Sequence, residues 1–153
     1  MVKQNIVLQC VTAKRAAELS GLSLTMVDYL ARMGIVTPSG SPPGKRGIRR
    51  RFTFGDVVSL KIIKGLLESG IEISRLKSAL RQLRQNLKNT PLGPLPFRYI
   101  ITNGAELFLT AEDRALETIS KAHGQLAFAF LIDAQASATE ILNAPRQAGD
   151  WAA

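Results

Sequence analysis

Lys45-Arg46-Gly47-Ile48-Arg49-Arg50-Arg51-Phe52 places five cations in seven residues beside an aromatic, between a Pro/Gly-rich loop and a helix start. A solvated charged loop is the plain reading of such a run, and nucleic-acid binding is the functional one. The neighbouring pattern favours nucleic acid. Upstream, Thr12 can cap a short helix over 13–19 whose apolar face is Ala16, Ala17 and Leu19. Gly21 can take the left-handed geometry that stops it, Ser23 can cap a second helix over 24–33, and Gly34 ends that one. Two short helices around a glycine turn are the sequence form of a helix-turn-helix.

Residues 38–47 carry three prolines and three glycines and are expected to form a long irregular loop, with 48–52 following as a short extended arm. Thr53 and Asp56 have the spacing of a helix cap, and Val57, Val58, Leu60, Ile62, Ile63, Leu66 and Leu67 make the third helix strongly apolar. Ile73, Leu76, Leu80, Leu83 and Leu87 fall on one stripe of a fourth helix over 73–88, with Lys77, Arg81, Arg84 and Lys88 on its remaining surface. That stripe suits packing within the chain, with a dimer seam as the other reading.

The charge is uneven. Residues 1–90 hold 16 Lys/Arg against 5 Asp/Glu, whereas 91–153 hold 4 against 7, within a net charge of +8. A polyanion-binding half joined to a half with another task fits this division. The sign changes at T-P-L-G-P-L-P, residues 90–96, so the expected organisation is a DNA-binding domain at 1–90, a linker at 91–96, a small α+β domain at 97–135 and a tail at 136–153. Within the second domain, 97–102 and 105–109 read as strands around Asn103-Gly104, 111–122 as a helix and 125–132 as a buried strand, giving the order ββαβ. A unit of that size needs a partner surface: its own N-terminal half, a second copy or another protein. The tail is expected to hold a helical turn or two near 139–142.

Enzyme chemistry is not supported. There is one His and one Cys, with no phosphate loop, nucleophile elbow or metal-ligand spacing, so no cofactor and no metal are expected. His123 precedes a helix-stopping glycine, and of the carboxylates Glu112, Asp113 and Glu117, which could resemble a cluster, the first two have a plain role at a helix start. Cys10 is expected to be a small buried side chain, with oxidation sensing as a remote alternative. With no signal peptide or membrane-length apolar run, the expected location is cytoplasmic.

A helix after a tight turn can enter the major groove, which makes Ser23, Thr25, Met26 and Tyr29 the candidate base readers. Met26 and Tyr29 could instead pack inward. Lys45, Arg46, Arg49, Arg50 and Arg51 would meet phosphates or an adjacent minor groove. Thr12, Lys14, Arg15, Arg32 and Phe52 complete the expected DNA-binding set.

Several ordered motifs over about residues 10–85 resemble the MerR family of winged helix-turn-helix regulators: V-T-A-K-R-A-A-E-L-S-G-L-S, M-G-I-V-T-P, R-R-F-T-F-G-D-V and L-L-E-S-G-I-E-I-S-R-L. The resemblance implies a mainly α fold with an N-terminal winged helix-turn-helix, followed here by the small α+β domain. It makes Arg50 the wing arginine, Phe52 the aromatic that closes the wing and Tyr29 a backbone-contacting tyrosine. Many members have Arg-Tyr-Tyr where this chain has Asp28-Tyr29-Leu30, so the role of that arginine does not carry over to Asp28. An actinobacterial-type branch has Asp-Tyr-Trp-Ala-Arg, close to D-Y-L-A-R here, and a small C-terminal domain similar to I-I-T-N-G-A-E-L-F and G-Q-L-A-F-A-F-L-I. The implied function is sequence-specific binding of double-stranded DNA as a homodimer that regulates transcription, with RNA polymerase or another protein as partner of the C-terminal domain. An architectural or excisionase-like DNA-bending protein is the alternative.

Overall fold

The computed structural model of this chain describes residues 9–40, 50–103, 106–110 and 130–151. Strand β1 (Cys10–Thr12) leads into helix α1 (Ala13–Ser20), Gly21 turns the chain at φ 81°, and helix α2 (Leu24–Arg32) follows. Both helix starts use the caps expected from sequence. The Thr12 hydroxyl accepts from Arg15 N at 3.2 Å and the Ser23 hydroxyl from Met26 N at 3.1 Å, each satisfying an amide the helix cannot pair.

Strand β2 (Arg51–Thr53) pairs antiparallel with β1, placing Val11 opposite Phe52 and Thr12 opposite Arg51. Helix α3 (Phe54–Glu68) starts from a full capping box between Thr53 and Asp56. It is buried on most sides and forms the axis of the core. A 3-10 turn (Ile73–Leu76) precedes helix α4 (Lys77–Leu87), where a single 73–88 helix is expected from the stripe. Leu76, Leu80, Leu83 and Leu87 are buried in the same cluster as α3, so the stripe packs within the chain.

The C-terminal half contains an antiparallel sheet in the order β4 (Leu107–Thr110), β3 (Tyr99–Thr102), β5 (Phe130–Asp133). Ile100 lies opposite Leu109 on one side and Ile132 on the other. The helix expected over 111–122, Gly104 of the expected hairpin turn and most of the 125–132 strand lie outside the described residues.

Residues 134–143 differ from expectation. In place of a turn or two near 139–142, they form a ten-residue helix, α5 (Ala134–Asn143), capped by Asp133. Ala134, Ala138 and Ile141 recur at helical spacing and are buried; an alanine-rich face offers little hydrophobicity to a sequence reader yet permits close helix approach. Helix α5 packs on α3, and Lys61 on α3 pairs with Glu140 at 2.9 Å. Beyond it, Trp151 is buried edge-on against Phe54, with ring centroids 5.8 Å apart. One apolar cluster therefore takes side chains from both halves, including Phe97, Ile100, Ile141 and Trp151. The partner surface that the small sheet requires is the chain's own N-terminal half.

Candidate nucleic-acid interface

Helix α2 has two distinct faces because of its 3.6-residue period. Val27 and Leu30 point into the core and Met26 rests half-buried against it, whereas Leu24, Thr25, Tyr29 and Arg32 point outward. Tyr29 is 41% exposed and Leu24 46% exposed. Of the two residues whose direction the sequence left open, Tyr29 therefore faces out and Met26 inward.

The base of the arm lies on this same side. Arg50 donates from Nη1 to Asp28 Oδ1 at 2.6 Å, which brings it onto the outer side of α2 from 22 residues away in sequence. A concavity of about 530 Å³ between them is lined by Thr12, Ala13, Lys14, Leu24, Asp28 and Arg50. Thr12, Lys14 and Arg51 are exposed around it, and Thr12 stands opposite Arg51 in the β ladder. Lys45, Arg46 and Arg49 lie outside the described residues.

Two predicted contact residues are placed elsewhere. Phe52 is 0% exposed and belongs to the core, because alternation along β2 turns Arg51 outward and the next side chain inward. Its side chain cannot touch a ligand; it anchors the arm. Arg15 is occupied by the C-terminal segment. Its Nε donates to both carboxylate oxygens of Asp150 at 3.0 Å, its Nη2 to the Pro145 carbonyl at 2.7 Å and its Nη1 to Glu18 at 3.2 Å.

The segment leading from α2 toward the arm is fixed by α4, a role hidden in the sequence. Arg81 donates to the carbonyls of Gly34 and Met33 at 3.1 and 2.8 Å, satisfying the C-terminal end of α2. Arg84 donates to the Thr37 carbonyl at 3.0 Å and the Ser39 hydroxyl at 2.7 Å. Behind them Asp56 accepts from Ser39 N and Ser39 Oγ at 2.7 Å each and from Thr53 N at 3.1 Å. Burial pushes the Asp56 carboxyl upward from its ordinary value, against the pull of those donors and of Arg84. Burial also raises the Cys10 thiol, aided by the charge of Asp56 and opposed by Arg51, which disfavours the reactive thiolate.

These elements, two capped helices around a glycine, a paired arm base and a bracing fourth helix, coincide with a match to the family described as MerR HTH family regulatory protein over residues 11–83. This segment is a MerR-family helix-turn-helix domain. The chain is also similar to an uncharacterized HTH-type transcriptional regulator of Mycobacterium tuberculosis, 36% identical over 70 residues, and to the same extent to one of Mycobacterium bovis. The HTH-type transcriptional regulator TnrA of Bacillus subtilis is 31% identical over 75 residues. These matches cover 46% and 49% of this chain, and 31% of the mycobacterial proteins and 64% of the Bacillus one. The chain therefore matches about a third of the length of its mycobacterial relatives. Among the described residues, no helix is long and apolar enough to cross a membrane.

Proposed function

We propose that this chain is a sequence-specific regulator of transcription that binds double-stranded DNA through the outer face of α2. Thr25 and Tyr29, with Ser23 at the helix start, read the major groove. Arg50, Arg51 and Lys14, together with the wing cations Lys45, Arg46 and Arg49 and with Arg32 at the end of α2, neutralise phosphates or enter an adjacent minor groove. The reading rests on one observation above all: Arg50 is held on Asp28, so the arm base and the exposed side of α2 share one surface. Support for a regulator comes from the transcriptional-regulator names of the relatives.

The mechanism is placement of the DNA, with no bond made or broken. A homodimer would set the spacing between half-sites, and the C-terminal sheet with α5 would supply the surface for RNA polymerase or another protein. The D-Y-L-A-R motif favours the actinobacterial-type branch of the family. Selection of bound duplexes from a random-sequence pool tests the reading. Wild type should enrich a defined motif, Thr25→Ala should change the preferred bases, and Arg50→Ala should weaken all duplexes by similar factors. Recovery of no motif by wild type would refute sequence-specific reading.

A further inference from the structure

Asp28 presents a carboxylate in the middle of the surface assigned to DNA, where an anion should repel phosphate. Three observations indicate what it does there. It lies in the interior of α2, so it neither caps the helix nor complements the positive helix end. Arg32 stands one helical turn away and is the usual local partner, yet among the described residues Asp28 pairs with Arg50. The two side chains are 43% and 36% exposed, and ion pairs that open to water add little to stability. A contact of 2.6 Å that contributes little to folding and joins two elements has its consequence in geometry.

We infer that Asp28 is a positioning residue for DNA binding: it fixes the Arg50 guanidinium against α2 so that the remaining N–H groups of Arg50 are directed at a backbone phosphate in register with the bases that α2 reads. The inference rests on the DNA-binding reading given above. A guanidinium carries five donors in a rigid fork, so one can be held by Asp28 while others remain for phosphate. The carboxylate removes the freedom of a long side chain before DNA arrives, which lowers the ordering cost of binding.

The two roles open to Asp28 predict opposite signs. If it acts as an anion in a cationic surface, Asp28→Ala strengthens binding at low salt and leaves the salt dependence of Arg50 intact. As a positioning residue, Asp28→Ala weakens binding about tenfold and makes the salt dependence shallower by about one phosphate contact, although no cation has been removed. Asp28→Asn, which keeps an acceptor for Arg50, should recover most of the loss.

The test measures affinity for the duplex selected by wild-type protein and for the random-sequence pool, across a range of KCl, for wild type, Asp28→Ala, Asp28→Asn, Arg50→Ala and the Asp28→Ala/Arg50→Ala double variant. Unfolding midpoints of all five proteins run alongside. The expected result is that the double variant binds no more weakly than Arg50→Ala alone, with unfolding midpoints close to wild type. Stronger binding by Asp28→Ala, or full additivity of the two substitutions, would overturn the positioning role while leaving DNA binding intact. Absence of duplex binding by folded wild-type protein would overturn the DNA-binding reading, and the inference with it.

Discussion

Asp150 grips Arg15 across 135 residues of sequence, both carboxylate oxygens lying 3.0 Å from the guanidinium Nε, and so ties the C-terminal segment to the first helix of the MerR domain. The pair is well shielded from water, with side-chain exposures of 12% for Arg15 and 5% for Asp150. Next to it Trp151 packs on Phe54 at the start of α3. The segment after α5 thus acts as a strap over the helix-turn-helix. Its removal should be felt in the N-terminal half, beyond the loss of its own contacts.

Trp151→Ala is therefore expected to destabilise the whole chain by about 3 kcal/mol, the usual cost of emptying a large aromatic site. Urea unfolding followed by helical circular dichroism measures it. The expected result is one cooperative transition with a lowered midpoint; loss of a minor C-terminal phase with an unchanged main transition would show that the strap does not stabilise the MerR domain.

Two glycines of α3 should respond in opposite directions to the same substitution. At Gly55 an added Cβ would run into the Leu87 carbonyl, because α3 and the end of α4 meet there backbone to backbone. Gly55→Ala must separate the two helices and should cost about 3 kcal/mol. Gly65 has open space where a Cβ would stand, and it lies inside the helix. Gly65→Ala should stabilise by roughly 0.5–1 kcal/mol, by restricting the unfolded chain and improving helix propensity. Thermal or urea unfolding of the two variants gives a direct comparison of sign.

Asp56 is the hub between the arm strand, the segment after α2 and α4. Replacing it with alanine deprives Ser39 and Thr53 of their buried acceptor and leaves the Arg84 guanidinium, only 13% exposed, without its carboxylate. An uncompensated cation of this kind is expensive, so Asp56→Ala should cost about 3–5 kcal/mol. Chemical unfolding checks the magnitude, and a loss below about 1 kcal/mol would mean that the network is dispensable.

Cys10 should behave as a packing residue. At 3% exposure, with its thiol pushed up by burial, it should react with a thiol reagent only as fast as the fold opens. Labelling in native buffer and in urea separates the cases; rapid native labelling would restore the redox alternative.

What could be read from the sequence follows the range of the physics involved. Thr12, Ser23, Gly21 and the Thr53/Asp56 box act within a few residues, so helix starts and stops were visible in one strand of text. The α4 stripe was visible as leucines at helical spacing, but its packing within the chain, and not at a dimer seam, came only from the fold. Arg81 and Arg84 appeared as ordinary surface cations, since their carbonyl partners lie 47 or 48 residues away. The inward turn of Phe52 depended on the register of β2 against β1, which a three-residue strand does not advertise. Helix α5 was understated because alanine signals a close helix contact far more weakly than leucine signals a core. At the candidate interface, Thr25 and the base of the basic arm could be named from sequence, whereas the inward turn of Met26, the outward turn of Tyr29 and the pairing of Asp28 with Arg50 came only from the fold.

Fluorescence anisotropy of a labelled duplex, titrated with folded protein over a range of KCl, decides whether one face of α2 and the basic arm together form a DNA-binding surface. For wild type a logarithmic slope of about −4 or steeper is expected, made shallower by about one phosphate contact in Arg50→Ala. A slope near zero, or a wild-type slope unchanged by Arg50→Ala, would contradict it.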